Sequence, residues 1–485
     1  MAPSTSTTAS TPAPTFASLG VRTLINGRGT FTIISGSRAL PQVVEAMAEA
    51  TNHYVEMGEL MECVGRRLAE LTQAPWGYVS SGCAAALAEV TAACMAGADP
   101  EKMARLPDTT GMRNEVIMQR AHRNIYDRAI RGVGARMIEV ETLADLRAAI
   151  GERTAMVAVV GDHGERDHIP VQAMIAVARE HGIPVLVDAA AERPDVPDRY
   201  LAMGADAVAY SGGKCLRGPQ ASGLVLGRKD LLWAAFLNGA PYHSVGRPMK
   251  VGKEEVMGLL AAVEAWVAGR DHAAEWRMWE GYLDCIAAAV RDLDSVTTSI
   301  RQPGLSNVAP NLVITWDPAA LACTPAQVHA ALWEGEPRIS LHLATDGLVV
   351  NPYMMEEGDA DIIARRLREL LTARLGLPPA GAPEPACDLT GAWELHTRYV
   401  LGESRHGLAL EQSGAALTGT CRSCFEAVPV SGAVAGSEVT FRMRLGYQSC
   451  RIEYVYTGAV DGDAMSGTVT LGEYGQAEWS AQRVR

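Results

Sequence analysis

The chain has 485 residues, 48% of them hydrophobic and 20% charged, with a formal charge of −13 and a pI near 5.4. That is room for roughly three packed domains at ~150 residues each. The acidic balance argues against a nucleic-acid partner, which selects a basic face.

No apolar run approaches the ~20 residues of a membrane span, and the N-terminus lacks the basic and apolar regions of a secretion signal. The ten cysteines are therefore expected as reduced thiols in a cytoplasmic protein. Residues 1–15, MAPSTSTTASTPAPT, are expected to be disordered.

From residue 16 the texture alternates strand with helix. TAMVAVVG, VQAMIAVAREHG and IPVLVDAAA read as strand, helix and strand, followed by the short strands GADAVAYSG and SGLVLGRK. Such alternation predicts a mostly parallel sheet covered by helices. We place this large domain at 16–270. A smaller α+β domain is expected at 271–375, with NLVITWD, ISLHL and GLVVNP as strands.

GLPPAGAPEPA at 376–386 reads as a linker. Residues 387–485 then become short, alternating and β-branched, with turn signals every 8–12 residues, which predicts an all-β barrel of ~100 residues. Cys421 and Cys424 form a CxxC, with Cys450 beyond it. There is no second CxxC, so these are read as plain thiols and no metal is expected.

The stretch VAYSGGKCLRGPQASG, residues 208–223, sets Lys214 between two glycines and a cysteine after an apolar run. A surface lysine needs no such setting, whereas a lysine that must reach an aldehyde cofactor does. The other parts of such a site are present. Asp188 ends the strand PVLV, where ligands of open α/β sheets bind, and its carboxylate could hold a protonated ring nitrogen. Ser81, Gly82 and Cys83 form a small-residue turn before a helix, a setting that favours an anion. Ser211 could add a hydroxyl, and His122 follows the strand EVIM as a ring-stacking partner.

Singly, each residue has an ordinary reading as a turn, a cap or a packed histidine. Their order and their placement at strand ends favour the joint one.

SGGKCLRGPQASGLVLGRKDLL also resembles the lysine segment of the selenocysteine-synthase-like group of fold-type I pyridoxal-phosphate (PLP) enzymes. Within that group, D-glucosaminate-6-phosphate ammonia-lyase and its relatives are the most similar. VRTLINGRGTFTIISGSRALPQVVEAM, SSGCAAAL, VLVDAAAE and VGRPMKVGKEEVMGLLAAVEAW match in the same order, so the resemblance covers about residues 16–375.

It implies an aspartate aminotransferase-like large domain with a small α+β domain, to which the barrel is added. It implies PLP on Lys214, its ring nitrogen on Asp188, its phosphate at Ser81, Gly82 and Cys83, Ser211 near that phosphate and His122 over the ring. Cys215 departs from an expected glycine and Cys83 from an expected alanine. A homodimer or higher homo-oligomer sharing sites between chains is also implied.

The reaction expected is Cα deprotonation by Lys214 followed by β-elimination from an amino acid or amino sugar acid, releasing ammonia and a keto acid. Racemisation is the alternative, with His122 or Cys215 as the second acid. Selenium transfer onto transfer RNA is disfavoured by the acidic chain. Arg338, Arg247 and Arg217 are the candidates for clamping the substrate carboxylate. The barrel, with Trp393 and Trp479 near its ends, is expected to be a structural cover or oligomer contact; a further reading makes the protein a non-catalytic binder whose lipocalin-like barrel holds a small ligand.

Overall fold

Apolar runs of four to seven residues, too short for helices and rich in valine, build the strands of the central sheet. The computed structural model describes residues 13–161, 168–304, 306, 308–377 and 383–484. In chain order the strands are β1 (Leu24–Asn26), β2 (Trp76–Ser80), β3 (Glu115–Gln119), β4 (Arg136–Val140), β5 (Thr154–Val160), β6 (Val185–Asp188), β7 (Ala207–Ser211), β8 (Gly223–Gly227), β9 (Thr297–Arg301), β10 (Asn311–Thr315), β11 (Arg338–Ser340), β12 (His342–Leu343) and β13 (Gly347–Val350).

Seven of them form one sheet in the order β2-β8-β7-β6-β5-β3-β4. β8 runs against both of its neighbours, while β7, β6, β5, β3 and β4 pair in parallel. Strands buried on both faces need no alternation, and β5 (TAMVAVV) is buried along all but its last residue. The helix Cys83–Ala96 is apolar nearly all round and buried over most of its length, as befits a helix enclosed on several sides.

A second core forms around an antiparallel sheet, β12-β13-β10-β9. β9 is a strand that the sequence pattern does not single out. Its burial is low throughout, so it lacks the apolar face that would mark it as a strand. β1 pairs in parallel with β11, so the N-terminal segment is tied to this smaller core.

These elements belong to one compact unit, which takes in the described residues up to His122 and Ala129–Leu377; Arg123–Arg128 and the chain from Pro378 make up the other. Of the residues read as disordered, 1–12 lie outside the described residues, as do 378–382 of the linker.

The second unit is a closed barrel of eight antiparallel strands, β14 (Gly391–Arg398), β15 (Glu403–Ser413), β16 (Ala416–Arg422), β17 (Ala427–Ala435), β18 (Glu438–Tyr447), β19 (Cys450–Asp461), β20 (Ala464–Leu471) and β21 (Gln476–Arg483). β18, EVTFRMRLGY, buries alternate residues, the period of a half-buried strand.

Eight strands leave an interior that side chains can fill, and here they do. Phe441 stacks on Tyr456 at 4.7 Å, and Trp479 meets both edge-on at 5.3 and 5.5 Å. Trp393 is also fully buried. Aromatic side chains fill this interior. Cys421 is buried and Cys424 exposed, and no group of three potential ligands among the described residues is arranged to hold a metal. No described helix is long and apolar enough to cross a membrane.

Candidate active site

Close backbone packing explains the glycines around Lys214. A Cβ on Gly212 would lie 2.9 Å from the Ser222 carbonyl oxygen, and one on Gly213 would lie 2.8 Å from Gln220 Cα. The segment folds back on itself: Gly212 N–H donates to Ser222 O and Gly218 N–H to Gly212 O, both at 2.8 Å, while Arg217 N–H donates to Lys214 O at 3.0 Å. Lys214 thus leaves β7 on a tight loop rather than on a free turn, and it is partly buried.

Asp188 ends β6, the strand beside β7. Its Oδ1 accepts the Ala190 N–H at 3.1 Å and lies 3.6 Å from the Cys83 thiol, which donates to it. Burial pushes the Asp188 pKa up, and the Ala190 N–H, Lys214 and Cys83 pull it back down. Burial also raises the Cys83 thiol well above its ordinary value. Lys214 acts electrostatically on both groups. The structure therefore brings Cys83, Asp188 and Lys214 together from three elements more than 20 residues apart.

The helix Cys83–Ala96 starts at Gly82, which has φ +102° and no side-chain cap on the first turn. The space where a Gly82 Cβ would sit is open, with no atom within 4 Å. Positive φ and that opening suit glycine, and uncapped N–H groups at a helix start suit an anion. Beneath this turn a Cβ on Gly223 would come within 2.7 Å of Gly82 C and 2.9 Å of Cys83 N, so β8 must carry glycine there. Ser81 and Ser211 are both partly exposed, at the turn and at the end of β7.

The residues present fit PLP. An open glycine cradle at a helix start suits its phosphate, and a carboxylate raised by burial gains from a cationic ring nitrogen. The lysine stands on the loop that follows the neighbouring strand, β7. Ser37 Oγ, on the segment that covers the lysine loop, is buried without a hydrogen-bond partner among the described residues. Gln220 Nε2 donates to Thr32 Oγ1 on this same segment.

Two expectations change. His122 is fully buried, and its Nδ1 accepts the Val160 N–H at 3.1 Å. As placed it shows no ring face, so stacking on a cofactor does not follow from this arrangement. Cys215 is buried and donates its thiol to Glu192 O at 3.0 Å, and burial pushes its pKa up to about 12.

The three arginines separate. Arg217, at φ +55°, donates Nε to Arg38 O at 3.0 Å on the lysine loop itself. Arg338 donates to Trp333 O and stacks on the Trp333 ring, and Arg247 is exposed in the loop after the helix Lys229–Asn238. No contact among the described residues joins either of these two to Lys214 or Asp188.

Sequence reading missed Arg270 and Tyr353. Both donate to the Cys215 carbonyl, at 2.7 and 2.6 Å, and so brace the residue after Lys214. Only their positions 55 and 138 residues away hid them.

The family model Aminotransferase class-V matches residues 128–248. A 5'-C-glycyluridine monooxygenase-decarboxylase from a Streptomyces species is 32% identical over 378 residues, which is 74% of this chain and 92% of that protein. A D-glucosaminate-6-phosphate ammonia lyase from Salmonella typhimurium is 32% identical over 368 residues, 73% of this chain and 96% of that protein. A solved structure of D-glucosaminate-6-phosphate ammonia-lyase superposes with a TM-score of 0.66 at 30% identity, covering 75% of this chain and all of that one. The chain belongs to the selenocysteine-synthase-like family of fold-type I, PLP-dependent enzymes, together with D-glucosaminate-6-phosphate ammonia lyase.

Proposed function

We propose that this protein is a PLP-dependent lyase that removes the Cα proton of an amino acid or amino sugar acid and expels a β-substituent, yielding ammonia and a keto acid. The observation that carries the reading is the convergence of Lys214, Asp188 and the Gly82 helix start, supported by the 32% identity to a D-glucosaminate-6-phosphate ammonia lyase.

PLP, when bound, supplies an electron sink that acidifies the Cα–H of its amino acid partner. Lys214 Nζ takes that proton as general base. Asp188 holds positive charge at the ring nitrogen, and the Cys83 thiol keeps its carboxylate turned toward the site. Ser81, Gly82, Cys83 and Ser211 hold the phosphate. Arg217 clamps the substrate carboxylate from the lysine loop. His122 acts as a positioning residue, since its Nδ1 ties the end of β3 to β5. Arg247 is assigned to a neighbouring subunit's site in a cytoplasmic homo-oligomer, and Arg338 to the small core.

A second reading rests on the Streptomyces relative, 32% identical with the chain covering 92% of its length. That reading breaks the bond from Cα to the carboxylate and consumes oxygen. One assay separates the readings. The protein is incubated in deuterated water with a panel of amino acids and amino sugar acids, D-glucosaminate 6-phosphate among them, while oxygen is monitored. The lyase reading expects ammonia and a keto acid without oxygen uptake. Oxygen uptake with carbon dioxide release would replace it with the second reading. Inverted, deuterated amino acid without ammonia would replace it with racemisation.

A further inference from the structure

The loop after β6 and the start of the helix His272–Val290 enclose a cavity of about 530 Å³. Trp266, Trp276, Trp279, Tyr353, Arg193 and Arg270 are among its lining residues, and Lys214, Asp188 and Cys83 are not. Its size is that of a small-molecule site.

Three of the chain's nine tryptophans fall between positions 266 and 279 and share this one cavity. Trp276 and Trp279 meet at 6.1 Å, and Trp279 and Tyr353 at 5.2 Å. Trp266 carries Arg270 over its ring at 5.0 Å and sits in a π-helical turn, Ala265–Gly269, a form often found at functional sites.

Tryptophans that only filled a core would close on one another. Here Trp266 and Trp276 stay partly exposed around an open cavity. The charges are also asymmetric. Arg270 is held by Glu275 at 2.9 Å, and Asp195, also on the rim, is paired with Arg199. Arg193 is exposed on the rim, with no hydrogen bond or ion pair among the described residues.

We infer that this cavity binds a flat aromatic ring bearing an anionic group, as the distal part of the substrate. Aromatic walls select a flat ring, and Arg193 selects its charge. The cavity is coupled to the reaction centre because Tyr353 and Arg270 both grip the Cys215 carbonyl, one residue from Lys214. The link to turnover rests on the lysine reading above; ring binding does not.

Isothermal titration calorimetry of the full-length protein tests it with three probes. Uridine 5'-monophosphate has ring and anion, uridine the ring alone, and glucose 6-phosphate the anion alone. We expect uridine 5'-monophosphate to bind at least about tenfold more tightly than uridine, and glucose 6-phosphate not to bind. Trp276→Ala should weaken the nucleotide about tenfold, and Arg193→Ala should abolish its advantage over uridine. Both residues are at the surface, and circular dichroism checks that the variants fold. No heat with either ring compound, equal binding of glucose 6-phosphate, or an unchanged Kd in both folded variants would overturn the inference. Ring binding by a protein that loads no PLP would instead count against the lysine reading alone.

Discussion

The Cys83 thiol donates to Asp188 Oδ1 across 3.6 Å, joining the first residue of a helix to the last residue of a strand 105 positions away. This contact aligns the proposed phosphate end of the site with its ring-nitrogen end. Cys83→Ala removes one of the groups that pull the Asp188 pKa down. A thiol is a weak donor, and a hydrogen bond of this kind contributes about 0.5–1.5 kcal/mol. PLP affinity should fall about two- to tenfold with the fold intact, and Cys83→Ser should recover most of it. Absorbance titration with PLP measures this, and an unchanged affinity in Cys83→Ala would remove the thiol from the site.

Gly223→Ala tests whether β8 sets the height of the helix start. The new methyl would lie 2.6 Å from Ser80 Oγ and 2.7 Å from Gly82 C, and overpacking of this kind costs about 1–3 kcal/mol. Both melting temperature and PLP affinity should drop. A variant that loses stability while keeping wild-type affinity would show that the helix start does not depend on this approach.

Glu89 is buried in the helix Cys83–Ala96 and receives the Tyr78 hydroxyl at 2.7 Å. Burial raises its pKa from 4.5 to about 8. The folded protein therefore holds a proton there that the unfolded chain releases near 4.5. This stabilisation is complete below about pH 4.5 and fades as pH rises toward 8, by up to about 1.4 kcal/mol per unit. Denaturation midpoints measured from pH 5 to 8 should fall less steeply in Glu89→Gln than in wild type. Parallel slopes would contradict the assignment.

The barrel is held by its filled interior. Trp479 is buried against Phe441 and Tyr456, so Trp479→Ala should cost the barrel about 3–5 kcal/mol. Chemical denaturation followed by near-ultraviolet circular dichroism reads this out. A near-neutral result would mean that the interior has slack.

What could be read from the sequence followed from how local each signal was. Lys214 and its glycines carry their constraint within ten residues, and the valine-rich strands declare burial by composition. Asp188 was legible because a charge that ends an apolar strand is conspicuous. Barrel alternation was equally plain, but the closure of its interior by Phe441, Tyr456 and Trp479 depends on strands meeting across the barrel. The bracing of Cys215 by Arg270 and Tyr353 joins residues 55 and 138 positions apart and leaves no local mark. His122 shows the opposite case, a residue whose position along the chain suggested an open ring and whose burial does not.

The central claim is that Lys214 carries the cofactor. Purified full-length protein loaded with PLP is reduced with borohydride, digested and mapped by mass spectrometry. The account predicts the added pyridoxyl phosphate on the peptide containing Lys214, with loss of the label in Lys214→Ala. Label on Lys229, Lys250 or Lys253, or on no lysine, would contradict it.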